Sequence, residues 1–120
     1  MSKYSELKDQ VEEVRRSIPE LEGVLVGSDE GLPIVHSMGD RDATRLAAMA
    51  TAAQNFGSRV SVGLNMGAVS DIRISADNGE VFVYSGGKSV LALITPKDGN
   101  AGLLHLEAGA MARKVQALVG

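Results

Sequence analysis

The 120-residue sequence contains no cysteine and no tryptophan, and only two phenylalanines and two tyrosines. Without cysteine, a secreted fold held by disulfides is excluded, and so is any thiolate chemistry. So few aromatic rings offer no stacking platform for single-stranded nucleic acid. A dense Lys/Arg cluster is lacking as well, and the net charge is −3, so the basic face that nucleic acid requires is not there. No apolar run approaches the ~20 residues needed to span a bilayer. The opening segment MSKYSELKDQ lacks the apolar stretch of a signal peptide. These absences lead to the expectation of a cytoplasmic protein with protein partners, no nucleic acid and no membrane insertion.

What is present is ordinary for a soluble globular chain: 44% hydrophobic and 22% charged residues. The length predicts one domain over residues 1–120. Tyr4, Leu7, Val11, Val14 and Ile18 alternate at spacings of three and four, which predicts a helix with one apolar stripe. Ser5 is the expected N-cap, and Pro19 ends the helix by disfavouring helical geometry at Ile18. Residues 23–28 and 32–37 read as a β-hairpin around Asp29-Glu30-Gly31, the glycine supplying positive φ. Pro33 cannot donate to a ladder, so its strand is expected at a sheet edge.

A long helix is predicted from Gly39-Asp40, with Asp40 as N-cap, to about Asn65. Its main stripe is Leu46, Ala50, Ala53, Gly57, Val60 and Leu64. A second stripe, Met49, Ala52, Phe56 and Gly63, lies roughly 90° around, at ~100° per residue. Between Arg45 and Arg59 there is no charged residue. A helix covering a single sheet carries a charged outer face, so this one is expected to be covered on two sides. Its Ala and Gly allow another helix to approach closely, and a twofold mate is the economical candidate.

Three strands follow. Residues 68–75 alternate, with Ala68, Ser70, Ile72 and Ile74 on one face and Val69, Asp71, Arg73 and Ser75 on the other. Asp77-Asn78-Gly79 signals a tight turn into strand 80–85, and Gly86-Gly87-Lys88 a second turn. Residues 89–95 hold the unbroken run Val90–Ile94, which suits a central strand buried on both faces. A last helix, capped by Asn100, carries the stripe Leu104, Ala108, Met111, Val115 and Leu118. The order α-β-β-α-β-β-β-α predicts an α+β fold: a five-stranded, mostly antiparallel sheet with helices on both faces.

The hairpin GVLVGSDEGLPIV (23–35), the meander 68–95 and the closing stretch Asn100-Ala-Gly-Leu-Leu-His-Leu-Glu107 resemble the roadblock/dynein-light-chain family, over essentially the whole chain and in the family's order of elements. In size and style the chain looks most like MglB-like members, described as regulators of Ras-like small GTPases. The resemblance implies a roadblock/profilin-like fold and a homodimer. Third strands would pair edge to edge into a ten-stranded sheet, and the long second helices would lie side by side as the docking face for a GTPase. It places Met49, Ala52, Phe56, Gly63, Ser70, Asp71, Ile72 and Arg73 in the dimer interface. Arg41, Arg45, Asn55 and Arg59 fall on the docking face. With a twofold axis near Ile72, Asp71 would face Arg73 of the mate, an opposite-charge pair worth ~0.2–1 kcal/mol.

No catalytic constellation accompanies this pattern. Gly87-Lys88-Ser89 matches the tail of a phosphate-binding loop, but the glycine required at position 82 is Phe82, and a strand rather than a helix follows. His36 and His105 have no ligand spacing around them. Glu12-Glu13 and Asp29-Glu30 read as solvated acids. The expected function is therefore a non-catalytic regulator or scaffold of a Ras-like GTPase, with no cofactor, no metal and no small-molecule substrate. A tethering adaptor and a profilin-like sensor domain are the rival readings.

Overall fold

The computed structural model describes residues 2–119. Helix α1 spans Lys3–Ser17, strands β1 Gly23–Ser28 and β2 Pro33–Ser37, helix α2 Ala43–Gly63. Strands β3 Asp71–Ala76, β4 Gly79–Ser85 and β5 Ser89–Thr95 follow, and helix α3 Ala101–Val119 closes the chain. The strands form one five-stranded sheet in the order β2-β1-β5-β4-β3. Each neighbouring pair is antiparallel, so the sheet is wholly rather than mostly antiparallel.

The alternation of side chains along the strands divides the core into two layers. Val24, Val26, Phe82, Tyr84, Leu91 and Leu93 point toward α1 and α3, whose Leu7, Val11, Val14, Leu104, Ala108, Met111 and Val115 complete that layer. Leu25, Val83, Val90 and Ala92 point the other way, toward Ala47 and Ala50 of α2, with Ile72, Val81 and Ile94 at its margin. Strand β5 lies in the middle of the sheet and is buried along nearly its whole length, as its unbroken apolar run requires. Pro33 sits on an edge strand, where its missing N–H costs no ladder bond. Gly31 and Gly87 take φ of 87° and 75° in their hairpin turns, a region that favours glycine.

The ends of the helices depart from expectation. The N-cap of α1 is Ser2, whose side chain accepts from the Ser5 N–H at 3.1 Å, so Ser5 is the residue capped and not the cap. Helix α2 is capped by Asp42, whose carboxylate accepts from the Arg45 N–H at 3.0 Å, and it ends at Gly63. Asp40 and Asp42 are equivalent acceptors in sequence; the turn through Gly39, at φ 61°, delays the helix to the second. Asn100 caps α3 as expected, accepting from the Leu103 N–H at 3.0 Å. Tyr4 stays exposed beyond the end of the α1 stripe.

Candidate interaction surface

Helix α2 covers the sheet with only one of its sides. Ala47, Ala50 and Gln54 are buried beneath it, while Leu46, Ala53 and Gly57 are half-buried. The expected main stripe is thus rotated: Val60 and Leu64 are exposed, and a glutamine takes a core position. Gly57 allows a close approach of helix and strand, since a Cβ there would lie 2.8 Å from Ile72 Cδ1. Within the chain the uncharged helix is covered on one side only, and the side that the sequence assigns to a twofold mate is exposed.

At ~100° per residue, Met49, Ala53, Phe56 and Val60 fall on the flank of α2 that leans over β3. Met49 is 52% exposed and Phe56 70%. Below them an open groove of about 640 Å³ runs between α2 and β3, lined by Phe56, Val60, Met66, Val69, Ile72 and Ile74 among others. Its walls are predominantly apolar. Gly63 sits at the end of the same flank with nothing within 4 Å of where a Cβ would be, and Ser70 and Asp71 line the groove's rim. Such a continuous exposed apolar surface is characteristic of an interaction site.

The groove borders the open edge of the sheet. The Ser85 N–H donates to the Ser70 carbonyl, which makes 70/85 a hydrogen-bonded pair. Counting along the β3–β4 register, Ile72/Val83 and Ile74/Val81 are pairs of the same kind. The N–H and C=O groups of Asp71, Arg73 and Ser75 therefore point away from β4, along the free edge. The opposite edge, β2, is blunted by Pro33 and by Arg15, whose Nη1 donates to the Ser37 carbonyl at 3.2 Å. Strand addition is thus far easier at β3. The strand begins at Asp71 and not at Ala68, so Ser70 precedes it as the last residue bonded to β4.

The outward crest of α2 carries Arg45, Ala52, Asn55 and Arg59, all exposed. Ala52, Asn55, Phe56 and Arg59 line a shallow depression on it. Arg41 is not part of this crest. It precedes the helix, and its Nη2 is ion-paired to Glu22 Oε1 at 2.8 Å. Arg73 is also engaged within the chain. Its guanidinium binds Glu80 at 2.9 Å and lies over the Phe82 ring, 5.3 Å from the centroid. Those hydrogen bonds hold the Glu80 carboxyl below its ordinary value, against the opposing effect of desolvation.

Sequence reasoning missed two features. The segment after α2 supplies Met66 and Val69 to the groove, a signal present as exposed apolar residues beyond a helix end. The Tyr84 hydroxyl meets His105 Nδ1 at 2.9 Å, joining residues 21 positions apart that no spacing rule connects. Burial, with a smaller effect of the Asp71 charge, pushes the Tyr84 hydroxyl up to about 12. His36 is exposed, and no group of His, Cys, Asp and Glu capable of holding a metal occurs among the described residues. No helix among them is long and apolar enough to cross a membrane.

A sheet flanked by one long helix on one face and two on the other, with an open third-strand edge, defines a roadblock-type α+β fold. The Roadblock/LC7 domain model matches residues 7–95, and the chain belongs to that family. The uncharacterized protein MJ1340 of Methanocaldococcus jannaschii is 27% identical over 99 residues, covering 82% of this chain and 87% of that one. Among solved structures, the gliding protein MglB from Thermus thermophilus superposes with a TM-score of 0.88 at 13% identity, over 98% of this chain and 91% of its own. A Roadblock/LC7 domain from Streptomyces avermitilis gives 0.85 at 20% identity, over 92% and 94%. At these identities the structural matches establish the fold.

Proposed function

We propose that this chain is a non-catalytic, cytoplasmic homodimeric regulator that binds a Ras-like small GTPase and biases its nucleotide state. The observation carrying the proposal is the α2 flank: uncharged between Arg45 and Arg59, apolar, exposed, and continuous with the β3 edge of the sheet. Family membership and the likeness to MglB support the same reading. A second copy covers the flank, with Met49, Phe56 and Gly63 against the facing helix. The free N–H and C=O groups of β3 pair with their counterparts.

The edge geometry restricts the register of that pairing. Only Asp71, Arg73 and Ser75 offer outward groups, so odd residues must pair with odd residues. A twofold axis at Ile72 meets this condition and sets Asp71 opposite Arg73 of the second copy. Because Glu80 already holds Arg73, the added ion pair contributes little, at the low end of ~0.2–1 kcal/mol. Apolar burial, not this pair, then stabilises the dimer. The paired crests present Arg45, Asn55 and Arg59 of both copies to the GTPase.

Regulation requires a difference in affinity between the two nucleotide states, since equal affinity shifts nothing. The test is titration of the chain against the GTPase loaded with GDP or with a non-hydrolysable GTP analogue, alongside hydrolysis and exchange rates. Unequal affinity, or a changed rate, supports regulation. Equal binding with both rates unchanged would sink it and leave the tethering adaptor, which predicts no nucleotide dependence.

A further inference from the structure

The face of β3 opposite α2 carries a second, polar surface. Asp71, Arg73 and Ser75 point to that side, because Arg73 stands opposite Phe82, whose ring belongs to the α1/α3 layer. At the start of β3, Asp71 and Ser70 form the floor of an open groove of about 420 Å³ whose wall is one flank of α3: His105, Gly109, Arg113 and Gln116. These follow one another at helical neighbour spacing. A Cβ at Gly109 would lie 3.7 Å from Arg113 Nη1, so the guanidinium lies back along the helix across the glycine. Among the described residues Arg113 makes no ion pair and no side-chain hydrogen bond. At the other end of β3 a separate cluster joins Arg73, Glu80, Ser75 and Lys97, with Lys97 Nζ donating to Ser75 Oγ at 3.1 Å.

Antiparallel self-pairing of β3 brings the start of one strand against the end of the other. It therefore places the Arg73–Ser75–Lys97 cluster of one copy beside the Asp71–Arg113 groove of its mate. We propose that each such composite groove is a recognition site for an acidic peptide segment, built from α3 of one copy and the β3–β4 hairpin of the other. It rests on the dimer proposed above, and it lies on the face of the sheet away from the paired α2 helices. Asp71 alone would balance Arg113 in a single chain. In the joined site Arg73 is ion-paired to Glu80, whereas Arg113 and Lys97 have no ion-pair partner among the described residues, Lys97 bonding only the Ser75 hydroxyl. Carboxylates of the segment would meet Arg113 and Lys97, and Gln116 would hydrogen-bond its backbone.

The experiment measures fluorescence anisotropy of a labelled glutamate-rich peptide against the full chain, with a lysine-rich peptide as control and light scattering on the same samples. Saturable binding of the acidic peptide that weakens with salt is expected, with no binding of the basic one. Arg113→Glu and Lys97→Glu, both at exposed positions, should each weaken it roughly tenfold or more, while Arg113→Lys retains most of it. A dimeric chain that fails to bind the acidic peptide, or an Arg113→Glu variant that binds as well as the parent, overturns the groove alone. A monomeric chain overturns the composite site together with the dimer.

Discussion

Gln54 is the one buried polar side chain of α2, and replacing it with methionine should stabilise the protein. The residue is 8% exposed and sits on the sheet-facing side of the helix, one turn beyond Ala50. Its Nε2 has no hydrogen-bond partner among the described residues. An amide donor taken from water and left unpaired costs about 1–3 kcal/mol, whereas an apolar group of the same shape is neutral or better. Methionine matches glutamine in length and flexibility and nearly equals it in helix propensity, so neither packing volume nor backbone preference changes much. The net expectation for Gln54→Met is a gain of about 1–2 kcal/mol. Thermal denaturation at fixed protein concentration should show a rise of a few degrees, on the order of 2–8 °C for a chain of this size. Gln54→Ala is the informative companion: it removes the same orphaned donor but opens a cavity, and should be worse than methionine by about 1 kcal/mol or more. A loss of stability in Gln54→Met would refute the reasoning, because it would mean that the amide has a partner in solution.

Three further outcomes follow from the same geometry. Phe56→Ala removes most of a ring that is 70% exposed, so the single chain should keep its fold. An aromatic side chain carries ~150–250 Å², and covering the exposed 70% of it at ~25 cal/mol per Å² corresponds to about 3–4 kcal/mol per copy. The dimer dissociation constant, measured by sedimentation, should therefore rise at least about 100-fold. Gly57→Val forces methyl groups against Ile72, whose Cδ1 already lies 2.8 Å from a Cβ at that position. It should cost about 1–3 kcal/mol in urea unfolding. Stability should also vary at both ends of the pH scale. Glu80 is held below its ordinary value, so its contribution is present above about pH 4.5 and lost as pH falls further, a slope that Arg73→Gln should flatten. Tyr84 is raised to about 12, so its contribution is full below pH 10 and lost as pH climbs toward 12, a slope absent in Tyr84→Phe.

The fold was legible wherever one local rule decided the matter. An unbroken apolar run put β5 at the centre, a proline put β2 at an edge, and glycines at 31 and 87 marked turns that need positive φ. Helix starts were less legible because Ser2 and Ser5, or Asp40 and Asp42, are chemically interchangeable as caps. Only the path of the preceding turn chooses between them. The flank of α2 was legible as a lack of charge, but lack of charge does not distinguish a covered surface from an exposed one. In the chain itself it is exposed. Contacts made across the sheet, such as Tyr84 with His105 or Arg73 with Glu80, depend on register and on helix placement. A buried glutamine cannot be read from an apolar pattern at all, since it interrupts the pattern.

Both proposed surfaces depend on a second copy closing the α2 flank and the free edge of β3. The molecular mass of the purified chain at micromolar concentration, by light scattering or sedimentation equilibrium, decides whether it does. The predicted result is twice the chain's 12.5 kDa, falling toward the single-chain value in Phe56→Ala. A parent chain that remains at 12.5 kDa would contradict the dimer and everything built on it.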